Sequence, residues 1–309
     1  MKIAIMATGG VGGYFGARLA AAGEDVHFIA RGAHLAALRA NGLELHSANG
    51  DLRLRPVAVT DDPATIGAVD IVLFAVKQYD TVTAAKAIAP LIGAATGVIS
   101  LQNGIDRHDP LGATLGGAQV MGGVAYITGA EIAAPGVITH VGPVARLIFG
   151  ERDGSISPRA ERFLAACKQA GIDAALSTDV AKEMWAKFAL LSAFSGVSSV
   201  LRKPIGAIVG DRDTRRLLEG AIAETAAVAR ANGVDLGADY VARQVAIVID
   251  KMLPETKSSM QIDLEHRRRL ELEWLSGAVA RLGDEAGVPT PTHHFIYAAL
   301  KLYADGQTG

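Results

Sequence analysis

The stretch Lys2–Gly16 has the sequence KIAIMATGGVGGYFG and decides the fold. Its first five residues, Lys2–Met6, are typical of a buried strand, and Val11–Ala22 has the pattern of a helix. A strand that passes into a helix through glycines directs backbone N–H groups and the positive end of the helix dipole at one point. The stretch therefore predicts a site for a pyrophosphate group; the alternative is a glycine-rich loop that only turns the chain.

This loop departs from the dinucleotide-binding fingerprint at one position. Ala7 replaces the first glycine, so the pattern reads Ala7-x-Gly9-x-x-Gly12. Alanine fits this turn only where its φ angle stays negative, and we expect a negative φ here. The loop residues predicted to contact the cofactor are Ala7, Thr8, Gly9, Gly10, Val11 and Gly12.

The end of the second predicted strand, Asp25–Arg31, indicates which dinucleotide is bound. Sites for NAD usually place an Asp or Glu there, where it holds the ribose 2′-hydroxyl. This strand ends without a carboxylate, and Arg31 is the charged residue at its end. Because a guanidinium matches the geometry of a phosphate, Arg31 favours NADP (NADPH) over NAD. The alternative is a solvated arginine at a strand end.

The first half of the chain alternates short β-branched runs with alanine-rich amphipathic runs. Such alternation specifies a parallel sheet covered by helices on both faces. Between Gly122 and Gly150, strand-like pieces are separated by Pro-Gly and Gly-Pro pairs, and we expect antiparallel extensions of the same sheet. The predicted fold class is α/β: a Rossmann-like doubly wound parallel sheet over residues 1–177, then an all-helical domain over residues 178–309.

In the second half, apolar residues recur at helical spacing. Thr178-Asp179 is typical of a helix N-cap, which places the domain boundary near residue 177. The predicted helical segments are 179–195, 212–232, 236–252, 258–285 and 291–304.

Composition argues against several classes of partner. The 309 residues carry 30 Lys and Arg against 32 Asp and Glu, a formal net charge of −2, so neither nucleic acid nor an anionic membrane is expected. The longest uncharged stretch, Pro110–Ala130, is rich in glycine, which predicts a loop and a buried strand instead of a membrane span.

The lone cysteine, Cys167, is typical of a reducing, cytoplasmic setting. We predict no metal site and leave a homodimer open.

Two polar residues follow buried strands of the predicted sheet. Lys77 follows the strand that begins at Asp70, and Asn103 follows the strand Val98–Leu101. Ligands of doubly wound sheets bind at the carboxyl ends of the strands, where both side chains are expected. Lys77 is equally explained by a lysine that reaches solvent at a strand end, and Asn103-Gly104 is also a turn signal.

One lysine interrupts a strongly apolar helical segment in the second half. Lys187 shares its helix face with Leu191 and Ser195. If it faces a cleft that holds a cofactor, its ammonium group can give a proton to a carbonyl oxygen. The alternative is a lysine that reaches solvent at the edge of the helix.

Two further polar candidates, Ser259 and Glu271, lie in one predicted helical segment. In a straight helix their twelve-residue separation corresponds to about 18 Å, too far for one small substrate. Either the helix breaks near Arg267–Leu270, or one of the two residues does not contact the substrate.

Taken together and in order, these residues resemble the ketopantoate reductase (2-dehydropantoate 2-reductase) family, NADPH-dependent enzymes of pantothenate and coenzyme A biosynthesis. The resemblance extends nearly from end to end. The matching stretches are Gly12-Gly13-Tyr14-Phe15-Gly16, Ala30-Arg31-Gly32, Val76-Lys77, Leu101-Gln102-Asn103-Gly104, Pro135-Gly136-Val137, Gly150-Glu151, Trp185-Ala186-Lys187, Ser258-Ser259-Met260 through Asp263, Glu271 and Gly277.

The resemblance implies roles for the positions in the first half. Gly9 and Gly12 cradle the pyrophosphate, and Arg31 holds the 2′-phosphate. Lys77 and Asn103 bracket the nicotinamide end of the cofactor and the substrate.

In the second half, the resemblance implies that Lys187 is the general acid, that Ser259 contacts the substrate carboxylate, and that Glu271 orients Lys187 or the hydroxyl. The family usually has asparagines four and eight residues after the lysine, where this chain has Leu191 and Ser195. We still expect Ser195 to bind the substrate. This departure bears on which substrate is used more than on the hydride chemistry.

Three functions follow as hypotheses. The first is reduction of a 2-keto acid, ketopantoate to pantoate, with NADPH. The second keeps the fold and Lys187 but acts on another small 2-oxo acid. The third is a non-catalytic NADP-binding regulator, which would not need Lys187 and Glu271.

Overall fold

The structure, a computed structural model, describes residues 1–106 and 108–306 of the chain. These residues form two compact units. The first contains Met1–Gln102 and residues 108–183, and the second contains Asn103–Asp106 and residues 184–306. The short segment Asn103–Asp106 thus belongs to the unit formed by the second half of the chain.

The strands all lie in the first unit and form two sheets. Their bounds are β1 (Lys2–Met6), β2 (Asp25–Ile29), β3 (Leu43–Ser47), β4 (Leu52–Leu54), β5 (Ala58–Thr60), β6 (Ile71–Phe74), β7 (Gly97–Ser100), β8 (Val120–Ile127), β9 (Ala130–Ala134), β10 (Val137–His140), β11 (Ala145–Gly150) and β12 (Asp173–Leu176).

The main sheet has eight strands in the order β12-β11-β8-β7-β6-β1-β2-β5. Its strand pairs are parallel except for β11 and β8, which are antiparallel. Met6 at the end of β1 pairs with Ile29 of β2 and with Phe74 of β6. The loops that follow these three strands therefore begin level with one another at one edge of the sheet. Buried apolar side chains pack on both faces, as expected for a doubly wound sheet.

The helices flank this sheet and build the second unit. Their bounds are α1 (Gly10–Ala21), α2 (Gly32–Asn41), α3 (Thr81–Ile88), α4 (His108–Leu115), α5 (Pro158–Gln169), α6 (Val180–Leu201), α7 (Ile205–Gly210), α8 (Arg212–Ala231), α9 (Tyr240–Lys251), α10 (Ser259–Glu265), α11 (Ser276–Ala286) and α12 (Pro291–Leu300). The predicted fold class, a Rossmann-like sheet followed by a helical domain, is confirmed.

One part of the strand prediction is wrong. β8 and β11 extend the main sheet, but β9 and β10 leave it and join β3 and β4 in a second sheet of order β4-β3-β10-β9. This sheet packs against α1, and a Cβ atom at Gly13 would lie 1.9 Å from Cδ1 of the buried Ile138. Gly13 of α1 therefore makes room for the second sheet.

The helix α6 begins after Asp179, whose carboxylate accepts the backbone N–H of Lys182 at 3.1 Å, so the predicted N-cap is confirmed. Within the described residues it is the single helix long and apolar enough to cross a membrane, with a mean hydropathy of 1.4. Two-thirds of that apolar window, 67%, is buried inside the protein, as in the core helix of a helical unit.

The predicted helical segment 258–285 is not one helix. It divides into α10, a short 3₁₀ helix at Leu272–Trp274, and α11. Arg267 adopts a left-handed φ of +56°, and its backbone N–H donates to the carbonyl of Leu264. The break near Arg267–Leu270, one of the two alternatives left by the sequence, is the arrangement found.

Candidate active site

The glycine loop joins β1 to α1 and presents free backbone donors. Gly9 is the N-cap of α1, and no side chain caps the helix or places a negative charge in its first turn. Because the first N–H groups of a helix have no carbonyl partner within the helix, those of Gly10, Val11 and Gly12 face outward with the positive end of the dipole. This arrangement can hold a pyrophosphate.

The glycines of this loop serve two different purposes. A Cβ atom at Gly10 would lie 2.2 Å from the carbonyl oxygen of Ala130, and one at Gly12 would lie 2.4 Å from that of Ala7. A Cβ atom at Gly9 would meet no protein atom within 4 Å, and Gly9 has an ordinary φ of −86°. Packing therefore explains why positions 10 and 12 require glycine. At Gly9, the absence of a side chain instead leaves open space for a ligand.

The expectation of a negative φ at Ala7 is wrong. Ala7 has a φ of +73°, in the left-handed region that favours glycine. Immediately after it, the backbone N–H and the hydroxyl of Thr8 both donate to the carbonyl of Ile29, at 3.1 and 3.0 Å. The turn must bring Thr8 back to β2, and the chain adopts the left-handed conformation to do so. Thr8, predicted to contact the cofactor, holds the loop with both of these donors.

Arg31 lies at the N-cap of α2, two residues beyond the strand that Thr8 contacts. Its side chain is exposed and makes no hydrogen bond or ion pair with any residue in the described ranges. One turn later, Nδ1 of His34 accepts the backbone N–H of Gly136 at 3.0 Å, and burial lowers the pKa of His34. The imidazole beside Arg31 is therefore neutral near pH 7, which leaves Arg31 as the cation at this helix start.

A buried polar network that the sequence did not reveal lies where β6 and β7 end. The Gln102 amide donates to the Thr81 hydroxyl at 2.7 Å and accepts from Ser100 at 3.1 Å. Thr81 in turn donates to the backbone carbonyl of Gln78 at 2.7 Å. This network joins the loop after β6, which carries the half-buried Lys77, to the loop after β7, which leads to Asn103. The sequence signal that could have indicated this network is the pair of polar residues, Ser100 and Gln102, on either side of Leu101.

The second unit brings two predicted site residues into contact. Nζ of Lys187, on α6, donates to Oδ1 of Asn103 at 2.9 Å. Asn103 is held in this unit because Ile105 packs against the helical core and Asp106 pairs with Arg281. Gly104 has a φ of +96°, so the turn predicted from Asn103-Gly104 is confirmed. The amide thus fixes the position of the ammonium group.

The positions one and two turns beyond Lys187 differ in character. Leu191 is half-buried and apolar, whereas Ser195 is fully buried. The Ser195 hydroxyl makes no hydrogen bond within the part of the chain that the structure describes. This face of α6 therefore has an apolar side chain at Leu191 and, one turn further, a fully buried hydroxyl group at Ser195.

Ser259 and Glu271 lie on either side of the helix break. Ser259 is the exposed first residue of α10, while its neighbour Ser258 is buried, caps the helix through the backbone N–H of Gln261 at 3.1 Å, and bonds Ser198 at 2.9 Å. Glu271 is a buried carboxylate, 5% exposed, directly before the 3₁₀ helix. Since the backbone turns between them, the separation expected for a straight helix does not apply.

Among the described residues, no group of three or more His, Cys, Asp or Glu side chains could hold a metal ion.

Comparison with known proteins shows which protein family the chain resembles in sequence and structure. The model of the family described as ketopantoate reductase PanE/ApbA matches residues 3–154, and the model of its C-terminal part matches residues 179–304. A 2-dehydropantoate 2-reductase of Mesorhizobium japonicum is 34% identical, with 98% of each chain covered. A PanE/ApbA family ketopantoate reductase from Ralstonia eutropha JMP134 has a TM-score of 0.89 at 34% identity, again with 98% of each chain covered.

A more distant structure, a D-mandelate dehydrogenase in complex with NADH and anilino(oxo)acetate, superimposes with a TM-score of 0.90 at 20% identity and 98% coverage of both chains. That likeness concerns the fold. Together, the Rossmann-type unit and these matches define an oxidoreductase that acts on CH–OH groups. The chain belongs to the PanE/ApbA ketopantoate reductase family, as its resemblance predicted.

Proposed function

We propose that this protein reduces a 2-keto acid with NADPH, namely ketopantoate to pantoate on the route to pantothenate and coenzyme A. The observation that carries the proposal is the lysine–amide pair, in which Nζ of Lys187 lies 2.9 Å from Oδ1 of Asn103. An ammonium group that is fixed on an apolar helix is suited to protonate a ketone oxygen and to stabilise the negative charge that forms there.

The cofactor part of the proposal rests on the first unit. Gly9 leaves open space, and the first turn of α1 offers N–H donors for the pyrophosphate. The guanidinium of Arg31 supports a 2′-phosphate, and the chain from Ile29 to Gly32 at the end of β2 contains no acidic residue. Because a dehydrogenase of the same fold is bound to NADH, the fold does not select the dinucleotide, and the choice of NADPH rests on Arg31.

Reduction adds a hydride to the keto carbon and a proton to its oxygen. A nicotinamide cofactor, held through its phosphates by the glycine loop and Arg31, would supply the hydride. Lys187 gives its proton to the ketone oxygen and is protonated again from solvent, while Asn103 holds its Nζ in place. We assign the substrate carboxylate to Ser259, and we assign to Glu271 the orientation of Lys187 or of the new hydroxyl. Lys77 and Asn103 are assigned to the nicotinamide end of the cofactor and to the substrate.

A second candidate, reduction of a different 2-keto acid, is favoured by Leu191. An apolar wall one turn beyond Lys187 suits an acyl group without a hydroxyl, whereas family members usually have an asparagine there. We expect Leu191→Asn to shift relative kcat/KM among keto acids towards ketopantoate, because it restores a hydrogen-bonding group. Leu253→Asn, at an exposed leucine in the same unit, is the control and should leave the ratios unchanged.

The test is a panel of 2-keto acids, with ketopantoate beside pyruvate, 2-ketoisovalerate and phenylglyoxylate, followed by the loss of NADPH absorbance. Highest kcat/KM for ketopantoate supports the first candidate, and a higher value for another acid supports the second. A protein that binds NADPH but consumes none with any acid would instead be an NADP-binding regulator.

We also infer a cytoplasmic location. The lone thiol, Cys167, is buried, and burial raises its pKa to about 12. A buried, protonated thiol is unreactive and forms no internal disulfide, which suits a reducing compartment.

A further inference from the structure

A basic pocket of about 250 Å³ lies in the second unit where α6 and α10 end. Its lining residues are Arg202, Leu264, Glu265, Arg267, Arg268 and Tyr303. None of these residues has a role in the proposed reduction. The pocket therefore raises a separate question about what its three arginines bind.

Two of these arginines have a backbone conformation that arginine rarely adopts. Arg202 follows α6 with a φ of +53°, and Arg267 follows α10 with a φ of +56°. At the end of α10, the N–H groups of Arg267 and Arg268 donate to the carbonyls of Leu264 and Asp263, a helix termination that usually has glycine at the left-handed position. Glycine would relieve the strain at both positions, so helix termination alone does not explain arginine.

The negative charges near the pocket are already paired. Glu265 accepts two bonds from Lys257, at 2.8 and 3.0 Å, and Asp263 lies 3.5 Å from Arg268. The guanidinium groups of Arg202 and Arg267 form neither an ion pair nor a hydrogen bond with residues in the described ranges. Two cations with no counterion among the described residues attract an anion to this one small pocket.

We propose that this pocket binds the phosphate group of a small phosphorylated molecule. Guanidinium groups bind phosphate oxygens in a bidentate manner, and two or three of them around one pocket can share a single phosphate. Leu264 and Tyr303 supply an apolar surface and a hydroxyl group for the organic part of the ligand. The site is distinct from the glycine loop and Arg31, which lie in the other unit.

The competing explanation is that the arginines only complement the negative ends of the two helix dipoles. Glycine substitutions separate the two ideas because glycine accepts the left-handed conformation, so Arg202→Gly/Arg267→Gly keeps the backbone as it is. The control for the loss of a surface arginine is Arg216→Gln, at an exposed residue of α8 that does not line the pocket.

The experiment measures binding of inorganic phosphate and of glycerol 3-phosphate by calorimetry at constant ionic strength. All variants carry Arg31→Ala, which removes the guanidinium group of the proposed 2′-phosphate site. Phosphate that binds at the glycine loop is common to all of them, so the difference in binding between variants reports on the pocket. We expect the parent to bind and Arg202→Gly/Arg267→Gly to bind roughly tenfold or more weakly, while Arg216→Gln is unchanged. Tighter binding of the ester than of inorganic phosphate identifies an organic phosphate as the ligand type, and equal binding identifies free phosphate.

Absence of binding to the parent, or equal loss in Arg216→Gln, would overturn the proposal. If the double variant does not fold, Arg267→Lys keeps the positive charge at position 267 but loses the bidentate geometry, and unchanged binding there would also overturn the proposal. Since the readout is binding in a background without Arg31, failure here leaves the proposed reduction untouched.

Discussion

In the first unit, the groups of the glycine loop that can bind a ligand belong to the backbone. In the second unit, the groups of the candidate site belong to side chains. Around Gly9, the donors are N–H groups that any sequence provides once the turn forms, and the glycines are set by contacts such as that between Gly10 and Ala130. Around Lys187, the chemistry depends on single side chains that other elements hold, such as Asn103. A backbone site is therefore lost by adding atoms, and a side-chain site is lost by removing them.

The largest effect is expected at the side-chain site. Lys187→Ala should lower kcat by roughly a hundredfold to ten-thousandfold, because it removes the proton donor, while NADPH binding persists. Steady-state kinetics and a fluorescence titration with NADPH measure the two properties. Lys182→Ala, on the exposed face of the same helix, is the control and should behave as the wild type. A folded Lys187→Ala protein with near-normal turnover would remove Lys187 from the mechanism.

The next effect concerns the one side chain on which the cofactor choice of the first unit depends. Arg31→Ala should weaken NADPH by roughly tenfold to a hundredfold, since a charge-assisted bond to the 2′-phosphate is lost. NADH lacks that phosphate, so its affinity should hardly change. Equal losses for the two cofactors would contradict the assignment of Arg31.

Substitutions at two neighbouring glycines distinguish a glycine required by packing from a glycine required by the bound cofactor. Gly10→Ala should lower the free energy of unfolding by about 1–3 kcal/mol, because its Cβ atom meets the Ala130 backbone. Gly9→Ala should leave stability unchanged and weaken NADPH binding instead. Thermal unfolding and cofactor titration of both variants provide the measurement. If Gly9→Ala bound NADPH normally, the open space at Gly9 would not be cofactor space.

The smallest effect is expected at the strained turn. Ala7→Gly should raise the free energy of unfolding by about 1 kcal/mol, because glycine adopts a φ of +73° without the clash of a Cβ atom. Denaturant unfolding provides the value. Ala22→Gly, at a helix end with a negative φ, is the matched control and should be neutral or destabilising. A destabilised Ala7→Gly protein would show that the turn is not strained.

Local patterns in the sequence predicted much of the fold. The run Lys2–Met6, the glycines after it and the cap at Asp179 each specify their element through neighbouring residues. The placement of β9 and β10 could not be predicted, because it depends on pairing with β3, nearly a hundred residues earlier. The break after α10 was left open since Arg267, without a Gly or Pro signal, adopts the left-handed turn.

The candidate site divides in the same way. The loop residues and Arg31 follow from one βαβ pattern, whereas the contact between Lys187 and Asn103 joins residues 84 positions apart. The network of Gln78, Thr81, Ser100 and Gln102 was missed because a buried polar side chain near a strand end does not reveal its bonding partner in the sequence. The roles of Ser259 and Glu271 come from the family resemblance and stay predictions.

The measurement that tests the central claim most directly follows the hydride itself. NADPH that carries deuterium on the transferred position of nicotinamide C4 is incubated with the protein and ketopantoate, and the product is analysed by mass spectrometry. We expect pantoate that carries the deuterium at the former keto carbon, formed in equal amount to NADP⁺, and no such product from Lys187→Ala on the same time scale. Pantoate without deuterium, or no conversion of ketopantoate or any other 2-keto acid, would contradict the account.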